Sequence, residues 1–297
     1  MKSFSDIDDD SVHTTTASCH HGARLPEPVM VELRAFYTDQ FLFLRMTWED
    51  ATRDDRMLDW VYSGGRWQNT GQFEDGFGLL WDAQGAFERF SCSYACHIND
   101  FGVNQSSFHA TNKMRLAKEE TWLDLWNWKA SRTARYNFAD DRYLDHNGMH
   151  GDTPDEIFVA NSKASQDPGS RLTPFGEVDQ PLYDAERQPV SELNPTPGTR
   201  LPGYLVEPPL AGRNDVNAVA LHLGGRWQVT LRRALNTNDP RDVVFIPGDM
   251  QGVAFGLAMM DHTLYEHYAS KTEERLLLLP PQLTDEEVGK SYGMFGY

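Results

Sequence analysis

Val29 to Ala35 reads Val-Met-Val-Glu-Leu-Arg-Ala, and Phe41 to Trp48 reads Phe-Leu-Phe-Leu-Arg-Met-Thr-Trp, with Thr38-Asp39-Gln40 between them. Both runs alternate or stay apolar over the length of a strand, and polar turn residues join them, so they predict an antiparallel hairpin. The signal recurs along the chain. Phe73 to Trp81 is a third candidate strand, interrupted by Gly76 and Gly78. Val216 to Leu223 and Arg226 to Arg232 flank Gly224-Gly225, a two-residue hairpin signal. Val243 to Ile246, Val253 to Met260 and Arg275 to Leu279 continue the pattern. Helix signatures are scarce, and Thr284 to Gly289 predicts one capped turn or a short helix. The implied fold class is all-β, an antiparallel β-sandwich with long loops and few short helices.

The 297 residues can bury a sizeable core, and 40% hydrophobic with 12% aromatic content argues against disorder. From about Asp145 to Asn214 prolines recur, among them Pro154, Pro168, Pro181, Pro195 and Pro208, and apolar periodicity disappears. Residues 145–214 are therefore expected to be one long loop excursion, with covering a cofactor or contacting a partner as its obvious tasks. The domain plan is an N-terminal extension over 1–27, a single sandwich domain over 28–280 and a C-terminal tail over 281–297.

Formal net charge is −17, from 27 basic and 44 acidic side chains. A nucleic-acid binder needs a basic surface to displace counterions from phosphates, and no Lys/Arg cluster offers one. An acidic chain is steered toward basic partner surfaces, which suits an electron carrier. No run approaches the roughly 18 apolar residues needed to span a bilayer as a helix.

Cys92-Ser93-Tyr94-Ala95-Cys96-His97 carries the chemistry. Two thiols can add to the vinyl groups of a porphyrin, and the adjacent histidine is then delivered to the iron. The common spacing has two residues between the cysteines; three is rarer and still lets both sulfurs reach the ring. The competing reading is a short Cys92–Cys96 disulfide with His97 a bystander. A zinc site is a weaker reading, because Cys19-His20-His21 is the one other ligand group and zinc sites usually pair two such groups. Met1 to Val12 is polar and acidic, without the apolar core of a secretory signal. Thiol attachment of haem happens outside the bacterial cytoplasm, so a periplasmic or otherwise exported protein is expected despite that segment.

Phe73-Glu74-Asp75-Gly76, then Cys92…Cys96-His97, then Asp124-Leu125-Trp126-Asn127-Trp128-Lys129-Ala130 and Ala139-Asp140-Asp141-Arg142-Tyr143 occur in that order. This series resembles the haem-binding domain shared by the gamma subunit of ethylbenzene dehydrogenase and related bacterial cytochromes, partners of molybdenum enzymes of the dimethyl-sulfoxide-reductase type. Trp227 to Thr237, with Asp239 beyond it, is similar to that family's closing hairpin. The resemblance covers roughly residues 28 to 280. It implies a sandwich gripping one haem between loops at one end. In the gamma subunits the haem is non-covalent and held by a methionine and a lysine; this chain departs from that pattern and is more similar to a branch with covalent haem.

The expected cofactor is one haem c, covalent through Cys92 and Cys96, with His97 as proximal iron ligand. For the opposite face, family lysine ligands lie in a short segment ending in serine. His267-Tyr268-Ala269-Ser270 matches that position, so His267 is the first candidate, with Lys271, Met114 and His109 as alternatives; His262 lies in the same region. Two axial ligands imply a six-coordinate, low-spin centre without oxygen chemistry. Trp126 is expected to plug the core. Trp128 has the same bland reading beside a place near the haem, and Lys129 or Arg132 could pair a propionate. Asp140 and Asp141 are expected in a solvated turn. No catalytic residue is predicted. The expected function is a c-type cytochrome passing electrons to or from a redox partner, either as a free shuttle or with a molybdopterin enzyme or other cytochrome subunits. The alternative is a haem-free β-sandwich binding module.

Overall fold

The structure, a computed structural model, describes residues 3–5, 29–87, 116, 119–163, 179–209, 211–262, 268–270 and 274–280. The first strands are β1 (Ser3–Ser5), β2 (Val31–Tyr37), β3 (Phe41–Glu49), β4 (Trp60–Ser63), β5 (Arg66–Asn69), β6 (Gly76–Trp81) and β7 (Leu123–Lys129). After them come β8 (Phe138–Asp145), β9 (Gly148–Gly151), β10 (Phe158–Ala160), β11 (Arg200–Leu201) and β12 (Tyr204–Val206). The last are β13 (Val216–His222), β14 (Arg226–Ala234), β15 (Val253–Met260), β16 (Tyr268–Ala269) and β17 (Glu274–Leu276). Helical structure among the described residues is limited to two 3-10 turns, Ala134–Tyr136 and Val190–Glu192. No helix there is long and apolar enough to cross a membrane.

Twelve strands form one antiparallel sheet in the order β1-β2-β3-β14-β13-β8-β7-β6-β15-β16, with β9 added to β8 and β17 to β15. The β13–β8 junction is held by two residue pairs only, Val216 with Ala139 and Asn217 with Phe138. There the sheet turns over into two layers. Layer one runs β1-β2-β3-β14-β13; layer two runs from β8 to β16. Both predicted hairpins form. Gly224 and Gly225 have φ of 62° and 71°, the left-handed pair that a type I′ turn requires. Thr38 Oγ1 accepts from Phe41 N at 3.1 Å across the first turn.

Alternation decides what lies between the layers. Leu33, Leu42, Leu44, Met46 and Trp48 of layer one share a cluster with Phe77, Leu79, Trp81, Trp126, Trp128, Phe255 and Leu257 of layer two. Trp48 sits edge-on to Phe77 and to Trp128, each with centroids 6.1 Å apart. Each such side chain contributes about 2–3 kcal/mol on burial, so this aromatic seam fixes how the layers stack.

Two expectations change. Val243 to Ile246 joins no ladder, although Val243 and Phe245 are buried and Val244 and Ile246 exposed. Its backbone donors are taken singly by neighbouring elements: Val243 N donates to Asp124 Oδ2 on β7 at 2.9 Å, and Phe245 N to Leu235 O at 2.9 Å. The stretch 145–214 is also more regular than a loop, because β11 pairs with β4 and β10 with β12. The predicted turn at 284–289 lies outside the described residues.

Candidate functional site

β6 is buried along its whole length, so both of its faces are covered. One face is the seam between layers. The opposite face of layer two forms a shelf whose rows follow from the register. Gly78 lies between Asn127 on β7 and Ala258 on β15, and Leu80 lies between Leu125 and Gly256. One end of this shelf is apolar: Leu80, Leu116, Leu123, Leu125, Leu144, Ala254 and Ala258 form their own cluster, with Phe87 against it. The middle is bare. Among the described residues, a Cβ added to Gly78 would meet Leu125 Cδ1 at 3.4 Å and Asn127 Nδ2 at 3.6 Å, both neighbours within the sheet.

The far corner of the shelf is cationic. Lys129 lies opposite Gly76, and Arg142 opposite Leu125. Asp140 Oδ2 receives Lys129 Nζ at 3.4 Å and Arg142 Nη1 at 3.2 Å, while its Oδ1 receives Arg213 Nε at 2.7 Å. Glu74 accepts from Arg132 Nε and from the backbone N–H groups of Ser131 and Arg132. Phe158 covers the corner, its ring centroid 5.0 Å from Lys129 Nζ and 5.1 Å from Arg132 Cζ. Within this set four cations face two carboxylates, and Arg142 Nε has no hydrogen-bond partner among the described residues. Burial pushes the Lys129 ammonium down to about 7 against the pull of Asp140, with Arg132 and Arg142 adding to the depression. Burial alone would raise the Asp140 carboxyl, but Lys129, Arg142 and Arg213 hold it below its usual value.

Of the residues singled out from sequence, Lys129 reaches this shelf. Arg132 stands at its edge, engaged by Glu74. Trp128 points the other way, into the seam, with Phe77 at 5.5 Å and Trp227 at 5.2 Å. Trp126 is likewise interior, 5.0 Å from Trp81. Cys92, Cys96, His97, His109, Met114, His267 and Lys271 lie outside the described residues. The flanks of their segments are informative. Phe87 and Leu116 bracket the stretch that carries Cys92, Cys96 and His97, and both join the apolar cluster of the shelf. His267 immediately precedes β16, whose Tyr268 pairs with Met259 on the shelf's outer strand. His262 is exposed and bonds Asp261 at 2.6 Å.

Asp140 and Asp141 are not in a solvated turn. Both are fully buried, on opposite faces of β8. Sequence reasoning also missed the work of Glu74 and Asp75. Asp75 accepts from Asp54 N at 2.9 Å, Trp227 Nε1 at 3.0 Å and His262 N at 3.1 Å. Burial pushes its carboxyl up to about 7, those donors notwithstanding. Their place directly before a glycine-rich strand start was the available signal.

The fold and the shelf define a class: two-layered antiparallel β proteins whose second layer presents a covered, amphipathic outer face. A family model describing ethylbenzene dehydrogenase matches residues 12–271. The chain belongs to that family. No curated protein gives a significant match.

Proposed function

We propose that the chain is an exported c-type cytochrome subunit, carrying one haem and relaying electrons to or from a molybdenum oxidoreductase or another redox partner. The observation that carries this reading is the shelf itself. A porphyrin is planar and apolar with two carboxylates on one edge, and the shelf lacks a side chain at Gly78, is apolar toward Leu125 and Leu80, and carries an excess of cations over carboxylates at Lys129 and Arg142. The residues present therefore fit the group. Cys92 and Cys96 would tether it, and His97 with His267 (or Lys271 or Met114) would hold the iron. Lys129 and Arg142 would face the propionates, while Glu74 keeps Arg132 in its own ion pair. The haem supplies one-electron exchange between ferric and ferrous iron. The chain's part is to exclude water and to compensate the carboxylates, which raises the charged fraction of Lys129. Membership of the ethylbenzene dehydrogenase family supports service beside a molybdenum subunit, and the net charge of −17 suits a basic docking face.

The test is an absorption spectrum of protein made in a host that matures c-type haem. Sharp α and β bands on reduction that survive acid–acetone extraction support the reading, and His97→Ala should convert the low-spin spectrum to high-spin. A colourless chain contradicts it and leaves the haem-free binding module.

A further inference from the structure

The inner face of layer two holds a second polar cluster, on the opposite side of the strands from the shelf. Asp124 on β7, Asp141 on β8 and Asp242 beyond β14 surround Arg233 on β14, all buried. Arg233 Nη2 is 2.5 Å from Asp242 Oδ2 and 3.4 Å from Asp124 Oδ2, and its Nε is 3.5 Å from Asp141 Oδ2. The guanidinium thus gathers one oxygen of each carboxylate, while its Nη1 donates to Val243 O at 2.9 Å. The Trp126 ring lies 5.2 Å away.

Asp124 Oδ1 and Asp141 Oδ1 have no N–H or O–H donor among the described residues, although Asp141 is 0% exposed, and Asp141 Oδ2 has only the 3.5 Å ion-pair contact with Arg233 Nε. Buried carboxylates are paired or coordinate metals, and one guanidinium leaves three carboxylates two charges short. Asp152, whose Oδ1 is also buried without a partner, adds to the negative field. One oxygen from each of Asp124, Asp141 and Asp242 lies within 4.8 Å of the others. Oxygens bound across a calcium ion at about 2.3–2.6 Å reach about 5 Å apart, whereas magnesium at about 2.0–2.1 Å draws them closer.

We infer that Asp124, Asp141 and Asp242 bind a calcium-like divalent cation, with Arg233 holding one oxygen of each carboxylate. The cation neutralises the cluster and ties the loop bearing Asp242 to β7 and β8. Protons are the competing neutraliser: burial and the neighbouring Asp124 push the Asp141 carboxyl well up, and burial pushes Asp124 to about 6 against the pull of Arg233.

The full chain, stripped with a chelator and equilibrated by dialysis against calcium, should retain one equivalent. Its thermal midpoint should rise on calcium addition, since a ligand that binds only the folded state stabilises it. Asp141→Asn should lower calcium affinity at least about tenfold, because ligand charge count sets affinity in oxygen sites; Glu49→Gln, at an exposed position, should leave it unchanged. No retained calcium with no shift in midpoint overturns the site in favour of protons. So does an Asp141→Asn chain that binds calcium as tightly as the parent. If that variant fails to fold, the stoichiometry and midpoint of the parent still decide.

Discussion

Asp75 shows what one buried carboxylate does in this fold. It collects three N–H donors from a loop, from the seam tryptophan Trp227 and from the turn after β15, and so pins one end of the sandwich. Asp75→Ala leaves those donors without an acceptor and should cost about 2–3 kcal/mol in urea unfolding. At Gly78 a side chain has room in the sheet but would fill the shelf. Gly78→Leu should therefore keep the β-type circular dichroism and lose haem incorporation; full haem retention would place the cofactor elsewhere. The cysteine–histidine motif is a local pattern, and its residues lie outside those the structure describes. The burial of Asp140 and Asp141 was not legible in the sequence. Neighbours on a strand face opposite sides, and their partners are distant in sequence: Arg213 in the turn before β13 and Arg233 on β14.

At the scale of elements, hairpins were readable because their signals are local: period-two runs around Thr38-Asp39-Gln40 and Gly224-Gly225. β7 and β8 were harder, since both of their faces are covered and the charged residues on them face partners distant in sequence. Asp124, Asn127 and Asp140 break the alternation that marks a strand. Val243 to Ile246 failed the opposite way, with strand-like burial and no ladder. Trp126 holds these pieces together, touching Trp81 at 5.0 Å and Phe245 at 5.9 Å. Trp126→Ala should cost about 3–5 kcal/mol, read as a lower denaturation midpoint, and a change under about 1 kcal/mol would contradict its role as a seam residue.

For the whole molecule, buried carboxylates set the pH response. Burial raises Asp75 to about 7, Asp124 to about 6 and Asp152 to about 8 from 3.8, so between those values the folded state holds protons the unfolded chain has released. That stability is complete below about pH 4 and is lost as pH climbs through about 6–8. Lys129, depressed from 10.5 to about 7, acts in reverse: above about pH 7 the unfolded chain holds the extra proton, and stability rises with pH. Chelated, haem-free protein should thus show a thermal midpoint that falls from about pH 5 to about pH 8 and then levels or recovers. A midpoint rising across that acid-to-neutral range would contradict the burial of these groups.

The central claim is best tested by the intact mass of the chain after maturation and removal of loosely held ligands. A covalent haem predicts the 33.8 kDa polypeptide plus one porphyrin, reduced to the bare polypeptide in Cys92→Ala/Cys96→Ala. The bare mass in the parent chain, or that mass less two hydrogens for a Cys92–Cys96 disulfide, would contradict it.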